Sequence, residues 1–292
     1  MLGQRALTAS VGIPVTLAVI YLGGWYLVAV VILLTTLALK EFYRLAYARW
    51  PEKPSLLLLP VRSVRYPGYA LAVLVPAVAL TATQPLFGGL LVGIALALTM
   101  LALMHWGALA RGVRATAASV WITTLGTLYL PGLFSYAVYL RGLDGRSVAL
   151  SGLHPAVPYG ACWLTLAVVA CWATDIAAYA VGKRFGRHKL CPAVSPGKTV
   201  EGAIAGLVAA TLVTASLGRW FGLDLGDGLI LGAALGVAGQ TGDLAESKLK
   251  RWAGVKDSGT ILPGHGGVLD RFDSLLVNAP VAYYYLRFLL GP

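Results

Sequence analysis

Long apolar segments, separated by short charged ones, run through the whole of this chain. A helix needs about 20 mostly apolar residues to cross the hydrocarbon core of a bilayer. Nine segments approach or exceed that length, at residues 7–22, 25–45, 69–83, 86–106, 116–140, 157–181, 200–220, 229–246 and 274–290. We therefore expect an all-α polytopic membrane protein with about nine transmembrane helices.

Composition supports the membrane class. Only 12% of the 292 residues are charged, whereas soluble domains average about a quarter. The first apolar segment, with Arg5 ahead of it, could pass for a signal-peptide core, but eight further segments and no clear cleavage site favour a retained span. The three cysteines form no CxxC pair, which argues against a disulfide framework or a structural zinc site.

The basic residues are distributed unevenly between the two predicted sides of the membrane. With a cytoplasmic N-terminus, nineteen of the 23 Lys and Arg residues lie on the cytoplasmic side. The four exceptions are Arg141, Arg146, Arg219 and Arg287. The positive-inside rule therefore predicts a cytoplasmic N-terminus. Basic residues facing anionic lipid headgroups also account for the net charge of +11, so no nucleic-acid partner is expected.

Acidic and glycine-rich polar segments concentrate in the second half of the chain. We expect residues 1–150 to form a lipid-facing scaffold of transmembrane helices. Residues 151–292 are then the catalytic region, with a polar site at its cytoplasmic side.

Asp175 lies inside the sixth apolar segment, where a carboxylate costs several kcal/mol unless it is paired, hydrated or metal-bound. Tyr179 and Gly182 follow at helical spacing and share its face. A site facing the cytoplasm is one interpretation, and a polar contact between helices is the other.

Residues 195–202 read S-P-G-K-T-V-E-G. A Walker A motif would need glycine at position 192, which is Pro192, so a P-loop is rejected. Ser195 or Thr199 can instead cap the following helix, whose free N–H groups would favour a phosphate together with Lys198. The alternative is a simple cap with an interfacial lysine.

Asp243 and Glu246 stand three residues apart on one helix face, after a run of glycines. Two neighbouring carboxylates repel each other unless a cation or a proton lies between them. This pair is therefore a candidate metal site.

Residues 247–274 combine cations, acids and a Pro-Gly-His-Gly-Gly turn. Carboxylates beside Lys and Arg suggest Mg²⁺ held together with substrate phosphate oxygens. A solvated basic loop would explain the cations but would leave the acids and the turn without a role.

The run S-x-L-K-R-x4-K-D-x-G-x2-L-P-x-H-G-G-V-x-D-R-F-D, from Ser247 to Asp273, resembles the signature of the phosphatidate cytidylyltransferases. The elements that begin at Asp175, Ser195 and Gly242 are similar to further blocks of that family, although Gly197 stands where a basic residue is common. The resemblance covers roughly the last 120 residues.

The resemblance implies that CTP and phosphatidic acid react to give CDP-diacylglycerol and pyrophosphate in phospholipid biosynthesis. It implies Mg²⁺ as cofactor, with a second cation as an option, and an integral protein of the bacterial inner membrane. We also expect contact with membrane lipids and an isologous homodimer through the spans.

The resemblance also suggests roles for individual residues. The metal ligands would be Asp243 and Asp270, with Asp175 and Glu246 as secondary candidates. The groups that hold CTP or lipid phosphates would be Lys198, Lys250, Arg251, Lys256, Arg271, His265 and Ser195. The substrate site would further include Asp175, Tyr179, Thr199, Ser247, Gly266 and Gly267, and Asp273 would orient Arg271 or help to hold the metal.

Two other functions are compatible with parts of this pattern. A polyprenol kinase that uses CTP would share the metal and phosphate groups but would transfer the γ-phosphate to an alcohol. An ion-coupled transporter would use Asp175 and Asp243 as coupling carboxylates. The transporter predicts an inverted repeat with paired broken helices, whereas the acids and glycines here occupy one half only.

Overall fold

The computed structural model describes residues 2–48, 65–81, 113–143, 157–261 and 266–289. Within these ranges the chain is almost entirely helical. The α-helices are α1 (Leu2–Leu22), α2 (Gly24–Tyr47), α3 (Arg65–Thr81), α4 (Val113–Thr127), α5 (Leu133–Arg141), α6 (Tyr159–Phe185), α7 (Val200–Trp220), α8 (Leu225–Ala253) and α9 (Leu269–Tyr284). Short π-helical turns cover Leu128–Gly132 and Tyr285–Leu289, and one hairpin joins β1 (Lys189–Cys191) to β2 (Ser195–Thr199).

Three of these helices, α2, α6 and α7, are long and apolar enough to cross a membrane. The expectation of a helical membrane protein is therefore confirmed. The number of spans stays a prediction, because segment 86–106 lies outside the described residues. Segment 116–140 is divided between α4, the π-turn and α5, with Pro131 inside the turn.

Helices α6, α7 and α8 pack closely through small residues. A Cβ atom on Gly206 would lie 3.0 Å from the carbonyl oxygen of Thr174, and one on Gly232 would lie 2.6 Å from the Cα of Thr211. Small residues at such positions let helix backbones approach one another. The three helices therefore form one tight layer, in which α7 contacts both neighbours.

The hairpin returns the chain from the end of α6 to the start of α7. Its strands are antiparallel, with Lys189 opposite Thr199. Thr199 caps α7, since its hydroxyl accepts a hydrogen bond from the N–H of Gly202 at 3.2 Å. Of the two caps that the sequence predicts, Ser195 and Thr199, the structure shows Thr199. Glu201 accepts from the backbone N–H groups of Arg187 and His188 and fixes the hairpin to the helix.

Helices α1–α5 pack differently, through aromatic rings. Tyr43 contacts Phe42 and Tyr69 with ring centroids 6.0 and 5.7 Å apart, and Phe42 also contacts Tyr129. Arg141 at the end of α5 donates hydrogen bonds to the carbonyl oxygens of Ile20 and Tyr21 at 2.7 and 2.9 Å. It thereby satisfies acceptors at the C-terminal end of α1 that have no partner within that helix.

Helix α9 lies against α8 and α6. A Cβ atom on Gly242 would come within 2.6 Å of the carbonyl oxygen of Asp273, so α8 and α9 nearly touch there. On the α6 side, buried Asn278 donates to the sulfur of Cys171 at 3.0 Å. The C-terminal ends of α6 and α8 and the N-terminal ends of α7 and α9 consequently meet at one end of the bundle.

Candidate active site

A cavity of about 710 Å³ opens where α6, the hairpin, α7 and α8 meet. Six of the residues predicted from the sequence line it: Asp175, Tyr179, Ser195, Lys198, Thr199 and Asp243. Lys183, Lys189 and Gln240 also line it, and the two lysines are among the nineteen basic residues predicted on the cytoplasmic side. Segments separated in the chain therefore contribute carboxylates and ammonium groups to one concave surface.

An ion pair lies in the wall of this cavity. Lys198 Nζ lies 2.6 Å from Asp243 Oδ2, and both side chains are partly exposed. The hydroxyl of Ser247, one turn further along α8, donates to Asp243 Oδ1 at 3.4 Å. The lysine of the hairpin and the carboxylate of α8 are thus in direct contact at the cavity wall.

Asp243 also belongs to a second group, which we call the acidic cluster: Asp243, Glu246 and Asp273. Carboxylate oxygens of the three residues lie within 4.8 Å of one another. Glu246 Oε1 is buried and has no hydrogen-bond donor among the described residues. Three close carboxylates, one with an unpartnered oxygen, fit a hard divalent cation, which prefers oxygen ligands. The resemblance implies only a supporting role for Asp273, whereas the fold makes it a full member of this group.

Asp270 is held by hydrogen bonds from the protein. Lys250 Nζ lies 2.7 Å from Oδ1, and Oδ2 accepts from the N–H and hydroxyl of Ser258 at 2.9 Å each and from the N–H of Gly267 at 2.8 Å. Asp270 precedes the last predicted span. Burial opposes its ionisation, but these donors outweigh burial and lower the pKa of Asp270 to about 2. The carboxylate is therefore ionised at neutral pH.

Lys250 connects Asp270 to the acidic cluster, because its ammonium group also contacts the Glu246 carboxylate. Asp270 thus contacts the cluster through a lysine. Its assignment as a metal ligand stays a prediction.

The remaining predicted cations are more exposed. Arg251 Nε donates to the carbonyl oxygen of Val194 at 3.1 Å and so ties α8 to the hairpin. Lys256 and Arg271 are exposed, and His265 lies outside the described residues. Gly266 has a φ of +82°, a left-handed conformation that favours glycine. The phosphate-binding roles of these cations stay predictions.

Glu41 contacts residues of the site but is not among the residues predicted from the sequence. Glu41, near the C-terminal end of α2, is only 3% exposed, and its carboxylate accepts hydrogen bonds from Ser258, Val268 and Leu269. The signal was present: a carboxylate near the end of an apolar segment needs a partner, and this reasoning singled out Asp175. The prediction does not include Glu41, which stands beside Lys40 and Arg44, two residues whose charges the positive-inside rule explains.

Together, the fold and this site define a helical membrane protein with a phosphate-compatible cavity next to an acidic cluster. The sequence profile of the cytidylyltransferase family matches residues 3–289, and the chain belongs to that family. The chain is 35% identical to the phosphatidate cytidylyltransferase of Synechocystis over 98% of its own length and 97% of the relative.

Two further relatives match over shorter stretches. The phosphatidate cytidylyltransferase of Bacillus subtilis is 42% identical over 56% of this chain and 56% of its own length. That of Staphylococcus aureus is 46% identical over 41% of this chain and 46% of its own length. The resemblance seen in the signature segment is thereby confirmed at the level of the family.

Proposed function

We propose that this protein transfers the cytidylyl group of CTP to phosphatidic acid, giving CDP-diacylglycerol and pyrophosphate. The observation that carries the proposal is the double position of Asp243. This residue forms an ion pair with Lys198 in the cavity wall and also belongs to the acidic cluster. A reaction between two phosphates needs cations from the protein and a site for a bound cation, and Asp243 connects the two.

In the proposed reaction an oxygen of the lipid phosphate attacks the α-phosphorus of CTP. The new P–O bond forms as the bond to the bridging oxygen of the β-phosphate breaks, and pyrophosphate leaves with that electron pair. The attacking oxygen is already anionic, so the reaction needs charge neutralisation and alignment more than a strong base.

The cavity residues supply those two functions. Lys198, Lys183 and Lys189 place ammonium groups around a space large enough for a nucleotide. Ser195 and the start of α7 border the same space, and free N–H groups at a helix start favour phosphate oxygens. Lys250, held between Glu246 and Asp270, keeps a cation beside the acidic cluster.

We assign Mg²⁺ to the acidic cluster, with Asp243, Glu246 and Asp273 as the residues that would hold it. When bound there, it would neutralise negative charge on the phosphates. Asp175 and Asp270 are kept as further candidates, and a second cation remains part of the proposal.

The cavity end of the bundle is assigned to the cytoplasmic side of a bacterial inner membrane. The basic residues around the cavity follow the positive-inside rule. The acyl chains of the substrate then stay in the bilayer beside the helices while the headgroup enters the cavity. We also propose that the protein forms a homodimer and has no nucleic-acid partner.

The decisive experiment is a transfer assay with two differently labelled nucleotides. The purified protein in detergent is incubated with Mg²⁺, phosphatidic acid and CTP labelled either at the α-phosphate or at the γ-phosphate. The proposal predicts label in the lipid fraction from α-labelled CTP only, and labelled pyrophosphate from γ-labelled CTP.

The same assay separates the alternatives. Transfer of the γ-label to a polyprenol, tested with that alcohol in place of phosphatidic acid, would identify a kinase. No lipid label under several lipid and metal conditions would refute the proposed transfer.

A further inference from the structure

We propose that Glu41 is a positioning residue for the reaction: a carboxylate of α2 that holds Ser258, Val268 and Leu269 in place and, through them, Asp270 and Lys250. The kinetic part of this inference rests on the proposed function, whereas its structural part does not.

The first observation is the set of donors around Glu41. Oε1 accepts from the N–H of Val268 at 3.0 Å, and Oε2 accepts from the N–H of Leu269 and the hydroxyl of Ser258 at 2.9 Å each. Helix α9 begins at Leu269, so these N–H groups belong to the helix start, where no intrahelical acceptor exists. A residue of α2 therefore completes the N-terminus of α9, and its negative charge is favourable to the helix dipole.

The second observation explains two glycines of the signature segment. A Cβ atom on Gly259 would collide with Glu41 Oε1, and one on Gly267 would collide with Glu41 Oε2 and the hydroxyl of Ser258. The backbone of the signature segment is thus wrapped closely around this carboxylate. Contact from both glycines indicates that the backbone here is shaped to accommodate the Glu41 carboxylate.

The third observation is the connection to the acidic cluster. The Ser258 hydroxyl lies between Glu41 Oε2 and Asp270 Oδ2, and its single hydrogen serves one carboxylate at a time. Asp270 Oδ1 then contacts Lys250, which contacts Glu246. Arg44, one turn further along α2, donates to the carbonyl oxygen of Ser258. Glu41 and Arg44 of α2 are therefore both hydrogen-bonded to Ser258, and Ser258 is also hydrogen-bonded to Asp270.

Glu41 does not line the cavity described above, so it acts through Asp270 and Lys250 and not on a substrate directly. Small displacements of groups that align reactants reduce turnover strongly while leaving the rest of the binding surface intact. The inference thus predicts an effect on kcat with little effect on the KM for CTP.

The test uses Glu41→Gln in the full-length protein. Glutamine keeps the size of the side chain but presents one acceptor oxygen and an NH₂ group to three donors, so at least one hydrogen bond is lost. We expect kcat to fall roughly 10- to 100-fold. The KM for CTP should stay within about twofold, the pattern of a lost alignment. Deuterium uptake should rise at residues 258–261 and 266–269, which surround the Glu41 contacts, and stay unchanged in 200–220.

Two further variants complete the design. Glu41→Asp retains both acceptor oxygens and should recover part of the lost kcat. Thr36→Val, on the same helix, removes a hydroxyl that bonds only the carbonyl oxygen of Ile32 among the described residues, and it should match wild type in every measurement.

A Glu41→Gln protein with wild-type kcat and wild-type deuterium uptake would overturn the inference. If this variant fails to fold, Ser258→Ala decides, because it removes the hydroxyl between the two carboxylates: normal kcat in Ser258→Ala would likewise overturn it. If the wild type transfers no cytidylyl group, the proposed function fails, and deuterium uptake alone then decides whether Glu41 holds the segment.

Discussion

Helices α6–α9 and helices α1–α5 fill space in different ways. In α6–α9 the atoms nearest to several glycines belong to the backbone of a neighbouring helix, as at Gly232 and Gly242. In α1–α5 the nearest atoms belong to aromatic rings, as at Gly126 beside Phe42. Backbone contact leaves little freedom for adjustment, whereas a ring can turn aside.

The difference matters for the site. Because α6, α7 and α8 approach so closely, short side chains such as Asp243 can face hairpin residues such as Lys198 directly. Helices α1–α5, which we call the aromatic half, contribute to the site in another way, through Glu41 and Arg44 at one end of α2. The first half is therefore more than a lipid-facing scaffold, since it supplies contacts to the signature segment.

The largest effect is expected for Asp243→Asn. The substitution removes the charge that pairs with Lys198 and contributes to the acidic cluster. Cytidylyl transfer should fall by roughly 100-fold or more, in line with the loss of one charge-stabilising group at an active site. The labelled-CTP assay measures it. The matched control is Asp224→Asn, an exposed acid that precedes α8 without a side-chain capping bond. Near-normal activity in Asp243→Asn would remove this residue from the metal assignment.

The next effect is expected for Gly267→Ala. The new methyl group would collide with Ser258 and Glu41 and lie 2.6 Å from the backbone nitrogen of Gly259. Overpacking of this kind lowers the free energy of unfolding by about 1–3 kcal/mol. Since Gly267 also donates to Asp270, we expect transfer to fall as well.

Gly226→Ala is the control for that substitution, because no atom lies within 4 Å of the position of its added methyl group. Thermal unfolding in detergent and the transfer assay should separate the two variants. Equal behaviour would mean that the contact between α2 and the signature segment is unimportant.

A smaller effect is expected for Lys198→Gln. Loss of the ammonium group weakens attraction for the triphosphate, and we expect the KM for CTP to rise about tenfold, which corresponds to 1.4 kcal/mol. Lys248→Gln, at an exposed position of α8 outside the cavity wall, should leave the KM unchanged. A rise in KM for both variants would point to general electrostatic attraction by the basic surface instead of a specific contact.

Several residues that the sequence predicts for the C-terminal site lie together in the fold, and they are exceptions to the apolar pattern. Asp175, Lys198 and Asp243 are conspicuous in or beside apolar segments, and all three line one cavity. The Thr199 cap was predictable from local helix chemistry. Local reasoning of this kind succeeds where the signal is contained in one turn or one helix.

The contacts between distant segments could not be predicted in the same way. Asp273 joins Asp243 only because Gly242 lets α9 approach α8, and sequence spacing does not reveal that approach. Glu41 meets Val268 across more than two hundred residues. Because Glu41 lies within apolar segment 25–45, its charge was a local signal, but sequence spacing does not reveal which distant N–H groups it binds.

The smallest effect is expected at Gly126, and it tests the comparison between the two packing modes. Alanine has a higher helix propensity than glycine by about 1 kcal/mol, so Gly126→Ala and Gly232→Ala share the same intrinsic gain. At Gly126 the nearest atoms are side-chain atoms, Phe42 Cε1 at 2.9 Å and Leu39 Cδ1 at 3.1 Å, and we expect these side chains to adjust without separating the helices. At Gly232 the nearest atom belongs to the Thr211 backbone, at 2.6 Å, where the helices themselves must separate. Gly126→Ala should therefore unfold at nearly the wild-type temperature, whereas Gly232→Ala should unfold earlier. Equal loss of stability in the two variants would refute the claim that the aromatic half is the more adaptable one.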